Sequence, residues 1–329
     1  MLLNLPQELR DQIFTLVCLA AREPPHPSTC RIEHRRTCEE YDFSRAPIAR
    51  DRVWFERRAL ENPMLSLLLV NHQVHQEAQD VLRRISDPPN YAIDVMFLKD
   101  GTLWPTWLSV PKLRRNLGNM YAQFRVFCPP NYLQTLHTDD PYGSEDPGPP
   151  PIVWLFYHLL SGFLRNGPLA LDRNEDDGGF TVQHLILDFL PASEKGILPF
   201  ASFIQYFKEV DDMVAPSDVG NNPTRGADES LLAAEYFAHF IRALLLRLLN
   251  LKPTAMKYGR ILYENVGDIE IRIDGQFKWR LGIPEMLSKL SFGDNLGPSR
   301  VVTPEQRFWH WKQVALARRR KAGLPVERE

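Results

Sequence analysis

The chain has 329 residues, 39 basic and 41 acidic side chains for a net charge of −2, and 44% apolar positions, the profile of an ordinary soluble globular protein. A chain of this length buries roughly three-quarters of its unfolded surface, so it needs no covalent staples. Its four cysteines, with no basic-then-apolar leader ahead of them, point to a reducing cytoplasmic or nuclear setting.

The longest nearly uncharged apolar run, 149–164, is shorter than the ~20 residues a bilayer demands, which argues against a membrane partner. Proline is the outlier, 27 of 329 residues or about 8% against a usual ~5%, and predicts long irregular connections.

The chain opens with Leu5-Pro6, and proline suits a helix start because its missing N–H would be unpaired there. Glu8 falls in the first turn, where the helix dipole favours an acid. Leu9, Ile13, Leu16, Val17 and Ala20 then recur on one helical face. From Arg22 to Asn62 the period dissolves into prolines and a mixed-charge run of eight arginines against six acids between 31 and 58, which reads as an insert or long loop. A second helix is predicted from an Asn62 cap and Pro63, with a stripe through Leu67, Val70, Val74, Ala78 and Val81. Residues 91–98 and 122–127 read as strands. Seven prolines between Pro129 and Pro151, beside acids, read as a solvated loop.

Further on, the pattern predicts a helix at 152–165, a strand at 182–190, a short helix at 198–210 and a leucine-dense helix at 228–250 buried on more than one side. "DIEIRI" turns at Asp274-Gly275 into "QFKWRL", a hairpin signal. The last helix starts with a capping box at Thr303-Pro304-Glu305-Gln306, places Phe308, Trp311, Val314 and Ala315 on one face, and stops before Gly323. Four units starting near 63, 111, 152 and 228 alternate helix with strand. That order predicts an α/β fold with a mostly parallel, irregular sheet, a degenerate leucine-rich arc or an α+β arrangement being the alternatives. The organisation expected is a helical region over 1–87 carrying the 22–62 insert, packed as one unit with an α/β body over 88–329.

"LLNLPQELRDQIF", followed after a gap by "LLLVNHQVHQEAQDVL", resembles the F-box, in particular the diverged F-box-like proteins of filamentous fungi. "DGTLWPTWLSVPKL" and "FRVF" look like the middle of the same proteins, so that the resemblance covers roughly 2–20 and 63–128. The resemblance implies a non-catalytic protein whose N-terminal helix docks on a Skp-type adaptor of a cullin-based ubiquitin ligase while the remainder recruits a protein substrate. It implies partner-binding roles for Leu5, Pro6, Glu8, Leu9, Ile13 and Phe14, and more weakly for Leu68, Val70 and Val74. An F-box runs its helices close together, whereas here 22–62 intervenes. If Leu9, Ile13 and Val17 pack on the second helix, Leu5 and Phe14 are left as the outward pair.

Cys18, His26, Cys30, His34 and Cys38 fall in a row, but without the Cys-x2-4-Cys knuckle of a structural zinc site, so unbonded thiols are expected and no metal. His72 and His75, one turn apart, read as a solvated helix face. Six cations and no acid lie between 307 and 321, near two tryptophans. They suit nucleic acid or an import receptor, but cations also complement a helix C-terminus, and a nucleic-acid partner is not expected. No nucleophile elbow, phosphate loop, zinc-protease helix or dinucleotide fingerprint is present, so neither an enzyme nor a cofactor is expected. The acids at 139–146 and 172–177 read as surface charge.

Overall fold

A computed structural model describes residues 2–37, 52–57, 63–85, 88–98, 101–127, 151–168, 179–191, 229–250, 256–292 and 304–327. The fold is mixed α/β, built on six strands. These are β3 (Tyr91–Leu98), β4 (Leu103–Ser109), β5 (Asn116–Phe127), β6 (Thr181–Phe189), β7 (Val266–Ile273) and β8 (Gln276–Gly282), lying side by side in the order β4-β3-β5-β6-β7-β8. The pairings β3/β5, β5/β6 and β6/β7 are parallel, while β3/β4 and β7/β8 are antiparallel hairpins at the two edges. The sheet is therefore mixed, parallel only across its four central strands. A second, two-stranded antiparallel sheet joins β1 (Arg35–Thr37) to β2 (Trp54–Glu56). No helix among the described residues is long and apolar enough to cross a membrane.

Side chains alternate across the strands. Ile93, Val95 and Phe97 of β3, Met120, Ala122 and Phe124 of β5, Leu185 and Leu187 of β6 and Ile269 and Ile271 of β7 belong to one core. That core is completed by α4 (Pro151–Asn166), α5 (Glu229–Leu249), α6 (Met256–Asn265) and α8 (Pro304–Ala322). Phe237 of α5 sits at its centre, stacked on Phe97 and edge-on to Phe124 and Phe189. The leucine-dense helix is buried on one broad side, not on more than one as expected: Ala234, Phe237, Ile241, Leu245 and Leu249 form a single stripe, flanked by Ala238, Phe240, Leu244 and Leu248.

On the opposite face Met96, Trp104 and Phe127 form a separate cluster closed by Cys30 and Trp54. The described parts of the segment between the first and second predicted helices thus lie on the sheet, where a loop in solvent was expected. Val53 bridges Leu103, the Leu103 N–H donates to Arg52 O, and Glu56 accepts the Trp107 N–H, so 52–56 runs along the free edge of β4. Covering an edge strand removes a template for unwanted pairing.

Two elements depart from the sequence reading. No helix starts near 111, because "LWPTWLS", rich in β-favouring Trp and Thr, forms β4 instead, and its Pro105 is tolerated on an edge strand. The second helix is two, α2 (Pro63–Leu68) and α3 (His72–Arg84), because the extended Asn71 accepts the Val74 N–H and starts a fresh helix. The short helix placed at 198–210, the Asn62 cap and the acidic clusters lie outside the described residues. Helices α6 and α7 (Ile283–Lys289) went unread, both being short. The Asp274-Gly275 turn has positive φ at both residues, as a two-residue hairpin loop requires.

The last helix ends as its Gly323 indicates: the Leu324 N–H reaches Arg319 O and the Gly323 N–H reaches Arg320 O. Its basic run is partly internal. Arg319 is fully buried and donates to Tyr263 O, Val266 O and Pro325 O, while Arg318 pairs with Glu264 at 2.5 Å. Burial pushes the Arg319 guanidinium down to about 10, so it stays charged at neutral pH. Replacing Arg319 by Met should lower the unfolding free energy by about 3 kcal/mol, since buried carbonyls lose their donors; urea unfolding checks this.

On α4, His158 is 5% exposed, and burial, reinforced by the Arg165 charge, pushes its imidazole down to about 4. The folded chain then resists a proton that the unfolded chain takes up near pH ~6.5. Stability contributed by this group is full above pH ~6.5 and declines as pH falls to about 4. Unfolding curves of wild type should show that decline, and His158→Gln should flatten it.

Candidate partner-binding surface

The N-terminal helix α1 (Gln7–Leu19) carries the candidate site. At ~100° per residue, Arg10, Phe14 and Cys18 share one side, and all three are buried. Phe14, 0% exposed, packs on Val74 and Val81 of α3, with Leu2, Ile13, Leu67 and Ile85 around them. Cys18 and Ala78 form the adjoining layer, and the Cys18 thiol donates to Pro111 O at 3.3 Å. Burial pushes that thiol up, away from thiolate chemistry. Helices α1, α2 and α3 therefore close into one unit despite the intervening 43-residue stretch from Ala20 to Asn62. An Arg84–Asp11 pair at 2.8 Å joins α1 to α3 at its rim.

The helix is rotated relative to the sequence reading: Ile13 and Val17 pack half-buried on the α2–α3 side as expected, while Phe14 and Leu9 exchange places. Phe14, expected to face a partner, is in the core; Leu9, expected to pack on the second helix, is 45% exposed. The reason is size and register. Phe14 buries the larger apolar area, and once it enters the α3 contact the positions half a turn away must point outward. Those positions are Leu9 and Leu16, the latter 70% exposed, with Leu19 beside them; Leu5, ahead of the helix, is exposed as well. Pro6 and Glu8 are also exposed and Ile13 is half-buried. Of the weaker set, Val70 is exposed and Leu68 half-buried, while Val74 is core; Leu69, next to Val70, is 84% exposed.

Arg10 replaces an apolar residue on the packed side. Its guanidinium donates to both Glu77 oxygens, at 2.8 and 2.5 Å, and to the carbonyls of Leu5 and Leu3. The hydrogen bond to Glu77 raises the guanidinium and holds the Glu77 carboxyl below its usual range. Nothing in the apolar periodicity signals this residue; only its place between Leu9 and Phe14 on a helix, with a glutamate on the partner helix, could have.

The Cys/His row is dispersed. Cys18 lies in the helical unit, Cys30 in the sheet-face cluster, and His26 stands edge-on to Phe127. Cys38 lies outside the described residues, among which no three His, Cys, Asp or Glu side chains gather for a metal. His72 is exposed, but His75 donates Nδ1–H to Leu68 O at 2.8 Å and accepts from Gln79, so it caps α2 as well as facing solvent. With Arg319 internal and Arg318 paired, the outer face of α8 keeps Arg307, Arg320 and Lys321 around Val314, a thinner basic strip than the sequence suggests.

Compared with known proteins, the chain matches no family model, no curated protein and no solved structure.

The two faces of α1 should respond oppositely to substitution. Phe14→Ala should cost about 3–5 kcal/mol of unfolding free energy, as expected for a phenylalanine removed from a core. Leu9→Ser and Leu16→Ser should each change it by less than about 0.5 kcal/mol. Thermal unfolding of the three variants checks this.

Proposed function

We propose that this chain is a non-catalytic interaction protein, working in the cytoplasm or nucleus, that docks through its N-terminal helical unit on a Skp-type adaptor of a cullin-based ubiquitin ligase and recruits a protein substrate with its α/β body. One observation carries the reading: opposite the side of α1 closed by Phe14, Leu9 and Leu16 stand exposed, with Leu5 exposed just ahead of the helix. Leucines grouped on one exposed side suit a second protein, and each leucine covered would contribute about 1.5–3 kcal/mol.

The residues carrying the F-box resemblance support the identity of that protein, and Leu5, Pro6, Glu8 and Leu9 are all exposed at the start of the helix. Phe14 takes a structural part in this reading, and Leu16 replaces it as the outward anchor. The meeting of α1 with α2 and α3 supplies the close helix arrangement that the intervening segment had placed in question.

Purified full-length chain should retain a recombinant Skp-type adaptor in a pull-down. Leu9→Asp/Leu16→Asp, on the open face, should abolish retention while leaving the unfolding midpoint near wild type. Absence of retention by wild type would overturn the ligase reading and leave a binding module with a different partner.

A further inference from the structure

Arg10 and Leu9 are neighbours with exchanged roles: the charged residue is 7% exposed and the apolar one 45%. Either alone is unfavourable. A guanidinium leaves water only when its donors are met, and a leucine in water forgoes its burial. Local rules broken together in this way mark functional positions more often than errors of folding.

The geometry says what the exchange achieves. The ladder of α1 begins at Pro6, whose carbonyl accepts the Arg10 N–H, and residues 3–5 lie ahead of it. Leu5 N–H reaches only Leu2 O, and the Leu5 and Leu3 carbonyls both point to one Arg10 nitrogen, Nη1. The opposite edge of the same guanidinium is clamped by both oxygens of Glu77, itself steadied by Gln73 Nε2 at 3.0 Å. A planar fork can hold a carboxylate and a carbonyl pair at once; a lysine ammonium cannot. The turn bearing Leu5 and Pro6 is thereby tied across α1 to α3.

Resting on the docking function above, we propose that Arg10 is the positioning residue of that surface: through Glu77 it fixes the Leu3–Pro6 turn so that Leu5 is presented in line with Leu9 and Leu16. Arg10 touches no partner itself. Its contribution is preorganisation, sparing the partner the ordering of a loose turn.

The test separates this from the docking reading and from general stability. In the full chain, amide hydrogen exchange at Leu5 is followed in wild type, Arg10→Met and Val81→Ala, and adaptor affinity is measured below each unfolding midpoint. Arg10→Met should speed Leu5 exchange at least tenfold and weaken the adaptor at least tenfold. Val81→Ala, which loosens the helix packing against Phe14 without touching the turn, should do neither. If Arg10→Met does not fold, Glu77→Gln, which keeps an acceptor but loses the charge, should show the same two changes at smaller size. Leu5 exchange that stays at the wild-type rate in the folded variant overturns the proposal, as does affinity within twofold of wild type. If wild type binds no adaptor, the docking reading fails, and Leu5 exchange alone still decides whether Arg10 holds the turn.

Discussion

The lateral pairing of residues 52–56 with the open side of β4 decides where everything at the N-terminal end goes. Val53 against Leu103 and Glu56 against the Trp107 N–H lock the return of the chain. Arg22, whose N–H donates to Leu108 O at 2.8 Å, locks its departure from α1 on the same strand. Both legs of the intervening segment are anchored on one strand, so α1 and the α2–α3 pair are delivered side by side. The length of chain between them then matters little, since each doubling of a loop costs only about 0.6 kcal/mol. The helical unit and the sheet share this seam and the Cys18–Pro111 contact, which hold the exposed side of α1 in place against the body.

A second theme links composition to architecture. A chain about 8% proline carries fewer backbone N–H donors than carbonyls. Among the side chains that add donors are four buried or half-buried arginines. Arg10 serves Leu3 and Leu5, Arg35 serves Trp54 and Pro105, Arg125 serves Pro25, and Arg319 serves Tyr263, Val266 and Pro325. Two are paired with acids, Arg10 with Glu77 and Arg125 with the fully buried Asp94. Arg35 lies instead over Trp104 and donates to Thr106 at 2.6 Å. What looks in the sequence like a basic insert and a basic tail is in part internal carpentry that ties separate elements together through their carbonyls.

The elements most legible in the sequence are those whose period and punctuation agree. β7, the Asp274-Gly275 turn and β8 combine strict alternation with a turn pair that only one hairpin geometry accepts, and α8 combines a start signal, a stripe and a terminal glycine. β4 was misread because Leu, Trp and Pro in "LWPTWLS" carry no alternation, being buried on both sides once the edge is covered. For α1 the helix was legible and its orientation was not. Leu9, Ile13, Leu16 and Val17 make the better apolar stripe, but the packed side is chosen by Phe14 together with an arginine whose partner lies 67 residues away. Periodicity sees no such distant pairing, and it weighs Arg10 as solvent-facing.

The seam along β4 also has a history in time. Val53 meets Leu103 across about fifty residues of sequence, and a ribosome adding roughly 5–20 residues per second needs several seconds to make that much chain. Through that interval Val53 has no β4 to lean on and Trp54 and Phe55 have β1 alone, while α1 stays uncovered until residues 72–84 have been made. Vectorial synthesis thus leaves apolar side chains of the seam bare until the strand that shelters them exists, in the very stretch that later sets the geometry.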